Sequence, residues 1–305
     1  MKELLIKNTD IKTSSLALGC MRMNESGRNI PEVINQAYDS GITFFDHADI
    51  YGKGTCEEIF ASSLKKTSIS RNSIYLQSKC GIVPGLMYDS SKEHILSSVE
   101  ESLKRLNTDY LDSLLLHRPD ALVEPDEVAE AFYQLKKAGK VRYFGVSNHN
   151  PSQIELLKTA VKDDLVINQM QFGLKHSSMI DQGINVNIEN QASLDRDGGI
   201  LDYARINNMT MQAWSPFQYG MFEGVFLTSD KFSDLNAFLK NMADKYNTTP
   251  TGLSYAWINR HPANIQTIVG SMNVNRLSEI ANASDIILSR EDWYAIYKAA
   301  GNELP

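Results

Sequence analysis

The sequence predicts one (β/α)8 barrel of the TIM type, an α/β fold, preceded by an N-terminal β-hairpin and occupying residues 1–305 as a single domain. Three observations carry this reading. Short β-rich apolar runs alternate with longer stretches of helical periodicity. The chain's 305 residues suit one barrel with insertions. No linker, low-complexity run or internal repeat divides it, and the first barrel strand lacks the glycine-rich turn of an open dinucleotide-binding sheet.

The elements follow in order. Glu3–Ile6 and Ile11–Ser14 flank a polar Lys7–Asp10 turn and read as the hairpin. Barrel strands are expected near Ser15–Leu18, Phe44–Phe45, Ser73–Gln77, Ser113–Leu116, Tyr143–Val146, Val166–Asn168, Met209–Ala213 and Ile265–Val269. Helices are expected at Pro31–Tyr38, Ser90–Leu106, Pro125–Ala138, Ser152–Val161, Ile200–Asn207, Lys231–Tyr246, Pro250–Asn259 and Val274–Ala283. Proline opens several of them and glycine closes the first and third, as helix ends prefer. The stretch from Gln169 to Gly199 is too long for a plain connection. Because it follows a strand, it is expected on the catalytic face as a substrate lid or cofactor clamp.

Charge and composition exclude several classes. A net charge of -7 argues against holding nucleic acid by bulk charge. No apolar run approaches the ~18 residues of a membrane helix, and the polar start is not a signal peptide. Cys20, Cys56 and Cys80 are odd in number and show no CxxC spacing, so they read as reduced thiols in the cytoplasm. The oligomeric state is not legible.

Barrel chemistry sits just past the C-terminal ends of the strands. After the second strand comes Asp46-His47-Ala48-Asp49-Ile50-Tyr51-Gly52. Lys79 follows the third, and the fourth runs into His117. One rim therefore receives an acid, a tyrosine, a lysine and a histidine. A free phenol has a pKa near ~10, too high for proton traffic at neutral pH. A Lys79 ammonium is expected to lower it, Asp46 to keep that ammonium charged, and His117 to orient a substrate oxygen. Tyr51 would then protonate a carbonyl oxygen as hydride reaches the carbon. Asp46, His47, Asp49, His117, His149 and His176 form a paper set of metal ligands. No HxH pair opens the barrel, and a metal would leave Tyr51 and Lys79 unexplained, so no metal site is predicted.

These segments resemble the aldo-keto reductases: Phe44–Gly52, Ser78-Lys79, Leu115–Asp120, Gly139–Asn148, and Ser271 with Arg276. The resemblance covers nearly the whole chain and points to the bacterial branch of that family. It implies a catalytic tetrad of Asp46, Tyr51, Lys79 and His117. It implies that Ser147, Asn148 and Gln169 hold a nicotinamide carboxamide, that Trp214 stacks on the nicotinamide ring, and that Glu279 contacts adenine. Gly19, Cys20, Met21, Asp46, Ser215 and Pro216 are assigned to the same cofactor site.

Hydride transfer needs a cofactor, since no side chain stores hydride. Neither GxGxxG after the first strand nor GxxxxGK[ST] is present. The phosphate site is therefore expected at the last strand and the helix that follows, where Gly270, Ser271 and Asn273 precede Arg276. Many family members carry a lysine where this chain has Gly270. The expected cofactor is NADPH, with NADH also used and a preference less extreme than in relatives with both cations. The expected activity is reduction of a small aldehyde or ketone. Met21, Met87, Phe172, Tyr219 and Phe222 are expected to line the substrate pocket. The alternative reading is a nucleotide-binding redox sensor or associated subunit with little turnover.

Overall fold

The computed structural model describes residues 1–304. The hairpin comes first: β1 (Glu3–Leu5) pairs antiparallel with β2 (Lys12–Ser14). Four barrel strands follow: β3 (Leu16–Gly19), β4 (Phe44–Asp46), β5 (Tyr75–Cys80) and, beyond the outlying hairpin β6 (Ile82–Val83) and β7 (Met87–Tyr88), β8 (Leu111–Leu116). The other four are β9 (Val141–Ser147), β10 (Leu165–Gln171), β11 (Thr210–Trp214) and, after a second outlying hairpin of β12 (Gln218–Tyr219) and β13 (Gly224–Val225), β14 (Gln266–Val269). These eight strands are parallel and close into a barrel in chain order, β14 pairing back onto β3. The expected (β/α)8 fold is the observed one.

The helices are α1 (Ile30–Asp39), α2 (Thr55–Leu64), α3 (Lys92–Leu106), α4 (Pro125–Lys137), α5 (Pro151–Lys158), α6 (Ser178–Ile184), α7 (Ile200–Ile206), α8 (Ser233–Lys245), α9 (Pro250–Asn259), α10 (Val274–Asn282) and α11 (Arg290–Ala299). Local chemistry sets their ends. Ser91 caps α3 by accepting from His94 N, and Asn107 closes it in the left-handed region at φ 49°. Asn150 and Gln153 form a capping box on α5.

Three helices escaped the sequence reading: α2, α6 and α11. The omission of α2 has a clear cause. Its N-cap is Gly54, left-handed at φ 89° and with no capping side chain, and its buried face includes the carboxylate of Glu57. Neither a capping signal nor a plain apolar stripe announces it. The long Gln169–Gly199 stretch is also more structured than expected. β10 takes its first three residues, a Gly173–His176 bridge follows, and α6 fills the middle.

Side chains alternate in and out along each barrel strand. The outward set packs under the helices in the main core. The inward set forms layers. At the N-terminal end Leu4, Ile6 and Ile11 of the hairpin region close the barrel and join one apolar cluster with Ala17, Phe44, Leu115, Ile167 and Ile268. Near the same end Asp112 binds Arg71 Nη2 at 2.7 Å and Arg142 Nη1 at 2.8 Å, tying three strand and loop segments together. Buried polar side chains share the interior with this cluster, and the candidate site opens at the C-terminal mouth.

Candidate active site

β4 ends on Asp46, which points inward, and the next turn brings back Tyr51. Lys79 lies inside β5, not after it as expected, because that strand runs three residues further than its apolar pattern suggests. Lys79 is fully buried, and its ammonium donates to Asp46 Oδ2 at 2.8 Å, to the His47 carbonyl at 2.8 Å and to the Tyr51 hydroxyl at 3.2 Å. Asp46 Oδ1 accepts from Gln77 Nε2 at 2.7 Å and Gln169 Nε2 at 3.0 Å. The His117 ring stands edge-on to Tyr51, with centroids 6.0 Å apart.

The electrostatics correct one expectation. Burial pushes the Tyr51 phenol above its ordinary value, and the Lys79 charge only partly offsets this. Burial alone would discharge Lys79, but Asp46 and Tyr51 reverse that and hold it protonated. Burial, then the charges of Lys79 and Arg118, drive His117 well below the usual imidazole range, so its ring is neutral at neutral pH. His47 is fully buried and driven down to about 3, chiefly by burial. Cys20, Cys56 and Cys80 are unpaired and buried, and burial raises all three thiols. Among the described residues no three His, Cys, Asp or Glu side chains converge in a metal-binding group.

Tyr51, His117 and Asp46 line a cavity of about 640 Å³ at the C-terminal mouth of the barrel. Of the expected cofactor residues, Gly19, Met21, Ser147, Asn148, Gln169, Trp214, Ser215, Pro216, Gly270, Ser271 and Arg276 line it too. Three do not. Cys20 is buried with its thiol turned to the Leu18 carbonyl. Asn273 caps α10 by accepting from Arg276 N at 3.0 Å. Glu279 lies further along α10, beyond the cavity lining, with its carbonyl beside Gly252. Of the expected apolar lining, Met21 and Phe222 reach the cavity, and Met87, Phe172 and Tyr219 do not. Met87 sits on the exposed outlying hairpin, Phe172 stacks on Trp257 in the core, and Tyr219 packs against Phe232.

The clamp also lies elsewhere than expected. From the Gln169–Gly199 stretch only Gln169 reaches the cavity, whereas the segment from Trp214 to Thr228 lines one whole side. Ser215 and Phe222 there hold positive φ of 47° and 62°, and Phe222 stacks on Trp214 with centroids 6.0 Å apart. Trp214 Nε1 donates to Asn148 Oδ1 at 3.1 Å, which fixes the indole plane. Sequence reasoning also missed Arg22, Ile82, Arg118 and Thr251 in the lining, along with Glu57 behind it. Glu57 accepts from Ser78 Oγ and from Arg105 Nε, both at 2.7 Å, bracing α2 against β5 and α3.

An eight-stranded parallel barrel with a buried carboxylate–ammonium–phenol cluster at its mouth has the build of a barrel oxidoreductase. The family model described as "Aldo/keto reductase family" matches residues 15–300, and the chain belongs to that family. It is 38% identical to the uncharacterized oxidoreductase YcsN of Bacillus subtilis, over 97% of each chain. It is 31% identical to a 6-dehydroglucose reductase of Agrobacterium fabrum, over 95% of each. The crystal structure of an aldo/keto reductase from Klebsiella pneumoniae in complex with NADP and acetate superposes with a TM-score of 0.77. It shares 26% identity over 99% of this chain and 97% of that one.

Proposed function

We propose that this chain, acting as one barrel domain in the cytoplasm, reduces a small aldehyde or ketone to the alcohol with NADPH, and with NADH less well. The observation that carries the proposal is the Lys79 ammonium held between Asp46 and the Tyr51 hydroxyl.

The cavity suits a nicotinamide dinucleotide. Gln169 Oε1 accepts no hydrogen bond from the described residues, while both its N–H groups are used. It is a spare acceptor suited to a carboxamide N–H. Ser271, at the approach to α10, and Arg276, in its first turn, line the same cavity and offer a hydroxyl, a cation and a positive helix end to phosphate. Ser147 and Asn148 would share the carboxamide, and Trp214 would cover the ring. When bound, the cofactor supplies the hydride.

The protein's own part is the proton. Tyr51 keeps its proton across neutral pH, because burial holds the phenol above its ordinary value. As negative charge builds on a carbonyl oxygen at the Tyr51 hydroxyl, that hydroxyl releases its proton and the phenolate forms beside Lys79. His117, uncharged, orients the oxygen without competing as the acid. Asp46 keeps Lys79 charged through the cycle.

The test is NADPH oxidation across a panel of aldehydes, ketones and dicarbonyls. Tyr51→Phe should lose at least ~10²-fold in kcat, the scale of a positioned acid, with cofactor affinity nearly unchanged. Near-normal turnover in that variant would remove Tyr51 from the mechanism.

A further inference from the structure

Six polar side chains meet in the barrel interior. Asp46 registers with Gln77 and Gln77 with Ser113, while on the opposite wall Gln169 registers with Gln212 and Gln212 with Gln266. All are at most 2% exposed. Only Asp46 and Gln169 reach the cavity. The others lie beneath it, where a barrel of this size is ordinarily packed with branched apolar side chains.

Their hydrogen bonds form one connected system. Gln77 Nε2 donates to Asp46 Oδ1 at 2.7 Å and to Gln212 Oε1 at 2.9 Å. Gln169 Nε2 donates to the same two acceptors at 3.0 and 2.9 Å. Gln212 Nε2 donates to Gln266 Oε1 at 2.8 Å and to Gln77 Oε1 at 3.3 Å. Gln77 Oε1 also accepts from Ser113 Oγ, and Gln266 Nε2 donates to the Ser14 carbonyl, both at 2.9 Å.

The direction of every amide follows from the two ends, each of which is an acceptor and nothing else. The Asp46 carboxylate obliges Gln77 and Gln169 to present N–H groups. The Ser14 carbonyl obliges Gln266 to present its own, which turns Gln266 Oε1 toward Gln212. Gln212 must then donate there, leaving its oxygen to accept from Gln77 and Gln169. Flipping any one amide would set acceptor against acceptor in a buried layer, at the cost of an unsatisfied polar group. Gln169 is thereby left with a single free function, its acceptor oxygen.

We propose that Gln77, Gln212 and Gln266 are positioning residues: their buried amide system locks Gln169 with its oxygen toward the cavity, so that the site selects a cofactor bearing a carboxamide N–H. This rests on the nicotinamide reading above. Gln212 is the key member, because it holds the second N–H of both Gln77 and Gln169 and touches neither the cavity nor Asp46.

The experiment titrates the intact protein with NADPH and with the reduced 3-acetylpyridine analogue, in which a methyl group replaces the carboxamide NH2. The wild type should bind NADPH about 5- to 10-fold more tightly than the analogue, the scale of one hydrogen bond. Gln212→Met removes the acceptor of the second N–H, leaves Asp46 alone to hold Gln169, and should narrow that ratio, chiefly by weakening NADPH. Gln212→Glu, held protonated by its burial, keeps an acceptor oxygen for Gln77 and Gln169 and an O–H for Gln266, and should restore the preference. A merely structural Gln212 would lower Tm in both variants and leave the ratio alone, which would overturn the proposal. Gln266→Met, one amide further from Gln169, should give an intermediate ratio and serves if Gln212→Met does not fold. Failure of the wild type to bind NADPH at all would defeat the cofactor reading itself. Binding of NADPH with no preference over the analogue would defeat only the orientation of Gln169.

Discussion

Asp49 stands two residues before Tyr51, its backbone N–H bonded to the Lys79 carbonyl at 3.0 Å and its Oδ1 buried without a partner. Burial, and then the nearby Glu57, push its carboxyl up to about 7, with Arg105 pulling the other way. The folded pKa therefore lies above the unfolded value of 3.8. Between these two the native state binds the proton more tightly, so this group's contribution to stability falls as pH rises from about 4 to 7. Asp49→Asn should leave stability unchanged near pH 4 and raise it at pH 8, by at most about 4 kcal/mol. Denaturant melts at the two pH values check this, and an equal effect at both would contradict it. At this scale the sequence was legible where a polar residue interrupts or ends an apolar strand: Asp46, Lys79 and His117 stand out for that reason. Glu57 did not, because a glutamate on a helix reads as solvated. Its partner Arg105 lies 48 residues away on α3. Gln77, Gln212 and Gln266 carried a fainter signal, each being the one amide side chain of its strand.

Gly173 and α10 position the cavity wall at the scale of elements. An added Cβ on Gly173 would lie 2.1 Å from the Pro216 carbonyl oxygen, a backbone atom that must move. Pro216 follows Ser215 and Trp214 in the cavity lining. Gly173→Ala should therefore shift that wall, costing about 1–3 kcal/mol in stability and weakening NADPH binding, as thermal melts and fluorescence titration would register. Arg276, in the first turn of α10, has no ion-pair partner among the described residues and lines the cavity beside Ser271. Arg276→Ala should cost NADPH about 1.5–3 kcal/mol, the range for hydrogen bonds to charged groups, and leave NADH almost untouched. Equal losses for both cofactors would make Arg276 a structural residue. Periodicity located every barrel strand, because parallel strands buried on both faces read as apolar runs. It missed α2, whose left-handed glycine cap leaves no sequence signature. It also gave the wall to the wrong loop. Length drew attention to the stretch after β10, but the wall is built by the β12–β13 hairpin region, whose placement depends on contacts such as Gly173 with Pro216.

The barrel interior as a whole combines an apolar closure by the hairpin region, a connected amide system, and the cavity at the mouth. The order of strands was readable from chain order alone, since a right-handed run of strand–helix units closes in sequence. The amide system was not, because it depends on register, and register sets which inward residues of separate strands meet. The floor has a kinetic consequence. With Leu4, Ile6 and Ile11 closing the far end, ligands have one way in, through the mouth that Tyr51 and His117 also face. Two molecules sharing such a blind chamber cannot pass one another. On the proposed function, the cofactor would rest on Gln169, arrive first and depart last, so turnover should be compulsory-ordered. NADP should inhibit competitively against NADPH, and the alcohol should not. A random-order inhibition pattern would mean that a second passage opens in the wall.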